Sequence, residues 1–296
     1  MKKIIILPIL LFFYGCSFFL SANELGSAKL YPQSLSFATN TIERPTLATE
    51  IVRPIAMASE TPSSMEDSHL ITHSGPGKVN APILLYHHIL IGKPPDPYSV
   101  SIERFQEQLS YLKDYGYQSI SVSKLIQAIT VGADLPEKPI IFTFDDGNEN
   151  VYSNAFPLMK KFGFTGTVYI IANRIDVEGF FTKEQIKDLL SAGWEVGSHG
   201  MKHIDLVIDP GALRDEIGNS KKIIEDMLDL KLTSFAYPYG KATKITMDWV
   251  RQIGYLAGMG LGISNQHDKE DLFYLSRRQV ESNMDIHAFT KLLSIN

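Results

Sequence analysis

From Ala81 onward, short apolar runs alternate with amphipathic stretches for about 215 residues, and few folds accommodate that alternation. Ile83-Leu84-Leu85-Tyr86 and Ile140 to Phe144 are nearly continuous apolar runs, the pattern of strands buried on both faces. Thr165 to Ala172, Trp194 to Ser198, Thr233 to Tyr237 and Tyr255 to Met259 read as further strands. Between them lie helix patterns. Ser101 can cap a helix in which Phe105, Leu109 and Leu112 share a face before Gly116 ends it. Another helix runs through Ala155, Leu158 and Met159, and Thr182-Lys183-Glu184-Gln185 is a capping box that opens a helix to Leu190. Residues 211–229, 245–253 and 285–294 complete the set. The expectation is an α/β domain whose parallel strands curl into a closed or partly closed barrel. In such barrels chemistry collects at the C-terminal strand ends.

Two motifs fall at strand ends. Thr143-Phe144-Asp145-Asp146-Gly147 follows the run through Phe142, and Ser198-His199-Gly200-Met201-Lys202-His203 follows Trp194 to Gly197. Adjacent carboxylates in a buried setting repel each other unless a cation or a proton separates their roles. One of Asp145 and Asp146 can bind a divalent ion while the other stays free as a base. His199 and His203 stand four positions apart, so both imidazoles can reach one ion from a single turn. Neutral imidazoles with one carboxylate suit Zn²⁺, with Co²⁺, Ni²⁺ or Fe²⁺ open from ligand type alone. The acidic spacing of a calcium-binding EF-hand loop is missing. This is the equipment of a metal-assisted hydrolase.

The remaining sequence sets the context. A formal charge of −5 and a pI near 5.9, with no Lys/Arg-rich block, argue against a nucleic-acid partner. Met1-Lys2-Lys3 followed by the apolar run Ile4 to Leu20 reads as an export signal ending near residue 22. The sole cysteine, Cys16, sits inside it after Gly15, so the chain is either lipidated there or cleaved near Ala22. The expected location is outside the cytoplasm: periplasm, outer-membrane lipoprotein or secreted. Residues 23–79 hold fourteen Ser/Thr, five Pro and only two aromatics, a composition expected of a disordered tether. The catalytic domain is then expected over residues 80–296, as a monomer.

The ordered set Leu84-Leu85-Tyr86-His87-His88, Thr143-Phe144-Asp145-Asp146-Gly147, Gly197-Ser198-His199 with His203, and Phe235-Ala236-Tyr237-Pro238-Tyr239-Gly240 resembles the polysaccharide deacetylases of the NodB-homology type, carbohydrate esterase family 4. The Tyr-His-His opening, Phe-Ala-Tyr-Pro-Tyr-Gly and Leu275-Ser276-Arg277 look most like the branch that N-deacetylates poly-β-1,6-N-acetylglucosamine. The resemblance implies an incomplete (β/α)₇ barrel. It implies Asp145 as general base, Asp146, His199 and His203 as metal ligands, and the Tyr239 backbone N–H as an oxyanion donor. Many members carry an Arg where this chain has Ala236, and that Arg orients the catalytic Asp. Arg277 is the expected replacement, with its neighbour Arg278 the alternative. His287 is the expected counterpart of the family's C-terminal general acid. Tyr237, Tyr239 and His87 are expected to line the sugar site, whereas Trp194 and Trp249 read as core and His267 as a solvent-facing loop residue.

These readings converge on an exported, metal-dependent enzyme that removes acetyl groups from N-acetylated glycan. Peptidoglycan or chitin-type oligomers are the runner-up substrates, and O-acetylated xylan comes third. A non-catalytic glycan-binding protein is the rival from another class; retention of Asp145 argues against it. A phosphoesterase lacks the second carboxylate-rich metal set it would need.

Overall fold

The chain is described here over residues 71–294 by a computed structural model; the signal segment, Cys16 and the tether up to residue 70 lie outside the described residues. Seven strands carry the fold: β1 (Ile83–Tyr86), β2 (Pro139–Phe144), β3 (Thr167–Ile170), β4 (Glu195–Ser198), β5 (Ser234–Ala236), β6 (Ala257–Met259) and β7 (Arg278–Gln279). They lie side by side in the order β6-β5-β4-β3-β2-β1-β7, every pairing parallel. Gln118–Ser119 adds a short strand against the start of β2. The sheet curls, and its two ends meet through the segment just before β7. Leu275 N–H donates to Gly258 O at 2.8 Å and Gly262 N–H to Arg277 O at 3.1 Å, while Arg278 pairs with Leu84 of β1. The fold is thus an incomplete (β/α)₇ barrel, and Arg277 sits in its seam.

Strand parity decides what enters the barrel. Leu84, Tyr86, Ile140, Phe142 and Phe144 belong to the core packed beneath the helices. Ile83, Ile141, Tyr169, Ala236, Ala257, Met259 and Leu275 form a second core inside the barrel. Because side chains alternate along a strand, Asp145 follows Ile141 and Thr143 on the interior side of β2. Gly197 admits the large interior ring of Tyr169: a Cβ there would collide with it. The Tyr169 hydroxyl is 2.8 Å from Ser234 Oγ, which anchors the ring across the barrel.

The helices form as their sequences dictate. Ile102–Asp114 is capped by Ser101, whose hydroxyl accepts the Arg104 N–H at 3.3 Å, and it buries Phe105, Leu109 and Leu112. Lys183–Ser191 opens with the expected reciprocal capping box between Thr182 and Gln185. The helix Val122–Thr130 and the strand Ala133–Pro136 were not anticipated. Nor did the expected tether boundary hold. Ile71–Ser74 pairs antiparallel with Ala133–Pro136, and Val79–Asn80 pairs with Gln266–His267, so ordered structure precedes residue 80. His267 is correspondingly buried rather than solvent-facing, with Nε2 3.1 Å from Ala81 O. Loss of hydration pushes its pKa down to about 4. Trp194 is buried in the core, stacked on Phe144.

Candidate active site

The C-terminal ends of β1, β2, β4 and β5, with the seam at Arg277, surround a cleft of about 300 Å³. Asp145, Asp146, His199, His203, His87, Tyr239 and Arg277 all line it. Leaving β2, the chain turns sharply: Asp146 has φ 73° and Gly147 φ 76°. Parity alone would send Asp146 toward the helix side. The left-handed backbone instead brings its carboxylate to the two histidines. His203 (φ 65°) and Tyr239 (φ 60°) share this unfavourable conformation, so three of the five non-glycine residues with positive φ among the described residues line one cleft. Backbone strain concentrated in this way is held in place by surrounding structure and marks functional sites.

Asp146, His199 and His203 each offer one ligand atom, and these atoms lie within 4.8 Å of one another. Asp146 Oδ1 is 3.7 Å from both His199 Nε2 and His203 Nε2. Ligands about 2.1 Å from a tetrahedral ion stand roughly 3.4 Å apart, so the set fits one divalent metal. The His199 tautomer is fixed by its other nitrogen, because Nδ1 lies 2.8 Å from the carbonyl of Ala236 and can only donate to it. Nε2 then carries its lone pair toward the cleft, as a ligand requires. Burial lowers the His199 pKa and outweighs the opposite pull of Asp145 and Asp146, which keeps the ring neutral.

Asp145 is held differently. Arg277 Nη1 and Nη2 donate to its two oxygens, each at 2.7 Å, and Arg277 Nε donates to Gly260 O at 3.1 Å. Both partners are almost inaccessible, at 2% and 1% exposure. Burial pushes the Asp145 pKa up, but the guanidinium and His199 outweigh it and hold the carboxyl at about 2. Arg278 instead donates Nε to Asn265 Oδ1 at 2.6 Å, away from the cleft. Of the two arginines expected as alternatives, it is Arg277 that pairs with Asp145.

Two expectations need correction. Tyr237 does not line the cleft: it is fully buried, with its hydroxyl donating to Phe273 O at 2.8 Å. Its place in the strand-end alternation turns it into the core. Tyr239, half exposed with its ring 4.5 Å from that of His203, does line it. His287 sits exposed on the outer helix Ile286–Ser294 and is absent from the cleft lining. His87 does line the cleft, and its Nδ1 is buried without a hydrogen-bond partner. Burial lowers its pKa, while the nearby charges of Asp145 and Asp146 pull the other way.

Supporting residues escaped the sequence reading. Asn148 Nδ2 donates to His87 O at 3.1 Å, Asn150 accepts the Ile89 N–H at 2.9 Å, and Asn154 donates to Ile89 O at 2.7 Å. Three asparagines within the seven residues after Asp-Asp-Gly were the available signal.

Known proteins are similar to this chain. Residues 132–258 match the family model described as polysaccharide deacetylase. The chain is 28% identical over 273 residues to the Bacillus subtilis protein YxkH, named as a polysaccharide deacetylase, covering 92% of this chain and 96% of that protein. It is 22% identical over 209 residues to a poly-β-1,6-N-acetyl-D-glucosamine N-deacetylase of Staphylococcus aureus, covering 66% and 72% of the two chains. Among solved structures, the fold resembles the Streptococcus pyogenes deacetylase PplD (TM-score 0.68, 24% identity, 73% of this chain and 99% of that one). It also resembles IcaB from Ammonifex degensii (TM-score 0.60, 27% identity, 75% and 97%). The matched segment holds the Asp-Asp-Gly and Ser-His-Gly strand ends inside the expected half-barrel, so over residues 132–258 the chain is similar to the polysaccharide deacetylases.

Proposed function

We propose that this chain is an exported, metal-dependent N-deacetylase of N-acetylglucosamine-containing glycan, with poly-β-1,6-N-acetylglucosamine as its substrate. The observation that carries the reading is the pairing of two differently held carboxylates in one cleft. Asp146 stands with His199 and His203 as a cation-binding set, and Asp145 is clamped by Arg277 as an ionised base. The relative named as a poly-β-1,6-N-acetyl-D-glucosamine N-deacetylase supports the choice of glycan. The apolar signal-like run at residues 4–20 supports export.

Asp146, His199 and His203 are the residues that would hold a divalent metal, Zn²⁺ above Co²⁺, Ni²⁺ or Fe²⁺. When bound, the ion supplies Lewis-acid polarisation of the acetyl carbonyl and a lowered pKa for water. Asp145 accepts the proton of the attacking water, and Arg277 fixes the direction in which its oxygens point. The Tyr239 backbone N–H donates to the oxygen that gains charge as the carbonyl becomes tetrahedral. Asp145 returns that proton to the leaving nitrogen, the C–N bond breaks, and acetate and a free sugar amine result. His87, unlike His287, also lines the cleft.

The test is acetate release from defined β-1,6- and β-1,4-linked N-acetylglucosamine oligomers, with Zn²⁺ or Co²⁺ added or chelated. Metal-dependent release favouring the β-1,6 series is expected. Release from the β-1,4 series alone would move the substrate to chitin-type or peptidoglycan chains. No release from either would overturn the deacetylase reading.

A further inference from the structure

Glu216 is a fully buried carboxylate with no obvious place among the catalytic groups. It lies in the π-helical turn Arg214–Asn219, a distortion that recurs at functional sites. Among the described residues no Lys or Arg forms an ion pair with it. Its charge is met by backbone instead: Oε2 accepts the N–H of Met201 at 3.0 Å, of Lys202 at 3.2 Å and of Ile204 at 3.4 Å. Oε1 accepts the Lys202 N–H at 3.0 Å as well. The first two of these amides belong to the turn that joins His199 to His203, and the third directly follows His203. Gly200, at φ 89°, leaves the carboxylate room, since a Cβ there would collide with Oε2. The far side of the turn is fixed by the Ala172 and Asn173 N–H groups, which donate to Gly200 O and Met201 O at 3.0 and 3.1 Å.

We infer that Glu216 is a positioning residue for the metal: its carboxylate shapes the His199–His203 turn and adds uncompensated negative charge behind the ligands. The inference rests on the reading that Asp146, His199 and His203 take a divalent ion. A buried carboxylate neutralised only by amide dipoles is costly to hold and is stabilised by a cation nearby. His203 stays in its left-handed conformation because the amides on both sides of it, Lys202 and Ile204, are held by one anchor. An outer carboxylate that orients ligating histidines is worth about ten- to a hundredfold in metal affinity.

The experiment measures Zn²⁺ and Co²⁺ dissociation constants by chelator competition on the purified protein, with Tm recorded alongside. Glu216→Gln keeps the shape but turns one acceptor oxygen into a donor facing backbone N–H groups. A Kd weaker by about ten- to a hundredfold is expected. Turnover should return toward the wild-type value once metal exceeds that Kd, with KM for the glycan unchanged. Ile224→Val, a core change on the following helix, should lower Tm and leave Kd alone. A folded Glu216→Gln with wild-type metal affinity would overturn the inference, because its role would then be structural only. Should that variant fail to fold, Glu216→Asp serves: it keeps the charge and shortens the reach, so a smaller loss of affinity is expected, and an unchanged Kd overturns the proposal. Wild-type protein that binds neither metal would overturn the metal reading itself and this inference with it.

Discussion

A carboxylate and a guanidinium removed from water cost each other several kcal/mol of hydration, which only good geometry offsets. Asp145 and Arg277 meet that condition with two parallel 2.7 Å hydrogen bonds. Arg277→Lys should therefore lose turnover about ten- to a hundredfold with metal content unchanged, because Lys lacks the planar fork. Arg278→Lys should leave turnover close to normal; the reverse ranking in steady-state rates would reassign the role. Asp145→Asn should keep metal affinity and lose turnover, whereas His199→Ala should lose both. Metal loss in Asp145→Asn as complete as in His199→Ala would make Asp145 a ligand. The pair also sets a pH dependence. The folded Asp145 pKa of about 2 lies below its ordinary 3.8, so its stabilisation is complete above the ordinary value and disappears as pH falls through the folded one. In metal-free protein, roughly 2 kcal/mol should be lost between about pH 4 and pH 2, a component that denaturant titrations of Asp145→Asn should lack. These residues were legible because adjacent carboxylates and paired imidazoles at strand ends have few other uses. His287 was misplaced because one sequence does not reveal which side of a terminal helix faces the barrel. Glu216 left a signal, a carboxylate on the apolar stripe of Leu213, Ile217 and Ile224, that only the fold made interpretable.

At the scale of elements, six of the seven strands and most helices could be read from periodicity, since long apolar runs and capping boxes are local signals; β7, two residues long, could not. The short ribbons could not, because Ile71–Ser74 and Val79–Asn80 exist only through partners far along the chain. Their polar, proline-flanked sequence looks like tether until Ala133–Pro136 and Gln266–His267 are placed beside it. The start of the folded unit therefore moves. A chain beginning shortly before Ile71 should keep full thermal stability. One beginning at Ala81 loses both pairings and the buried Val79, which also covers His267's strand. The loss should be about 2 kcal/mol, or roughly 4–8 °C in Tm. Scanning calorimetry on the two truncations decides it, and equal Tm values would return residues 71–80 to the tether.

The whole molecule gathers its chemistry where independent strands converge. Asp146 comes from the end of β2, while His199 and His203 come from the end of β4, two strands away across β3. Arg277 lies at the seam that joins β6 to β1. An ion held by Asp146 and the two histidines would tie β2 to β4, and the bidentate pair ties β2 to the seam, so both sides of the half-barrel are fastened through one pair of adjacent carboxylates. Binding confined to the folded state then stabilises the entire domain rather than one loop. At a free metal concentration a hundred times Kd the gain is about 2.7 kcal/mol. For a domain of this size that corresponds to a Tm rise of roughly 5–10 °C. Chelation should reverse the rise in the wild-type protein. His199→Ala should show none at any of these metal concentrations, because Asp146 and His203 alone are too few protein donors to hold the ion. Asp145→Asn should retain the rise on top of a lower starting Tm, because its loss strands the Arg277 charge without touching the ligands. A wild-type Tm indifferent to Zn²⁺, Co²⁺ and chelator alike would show that the three donors do not form a folded-state metal site, whatever their spacing.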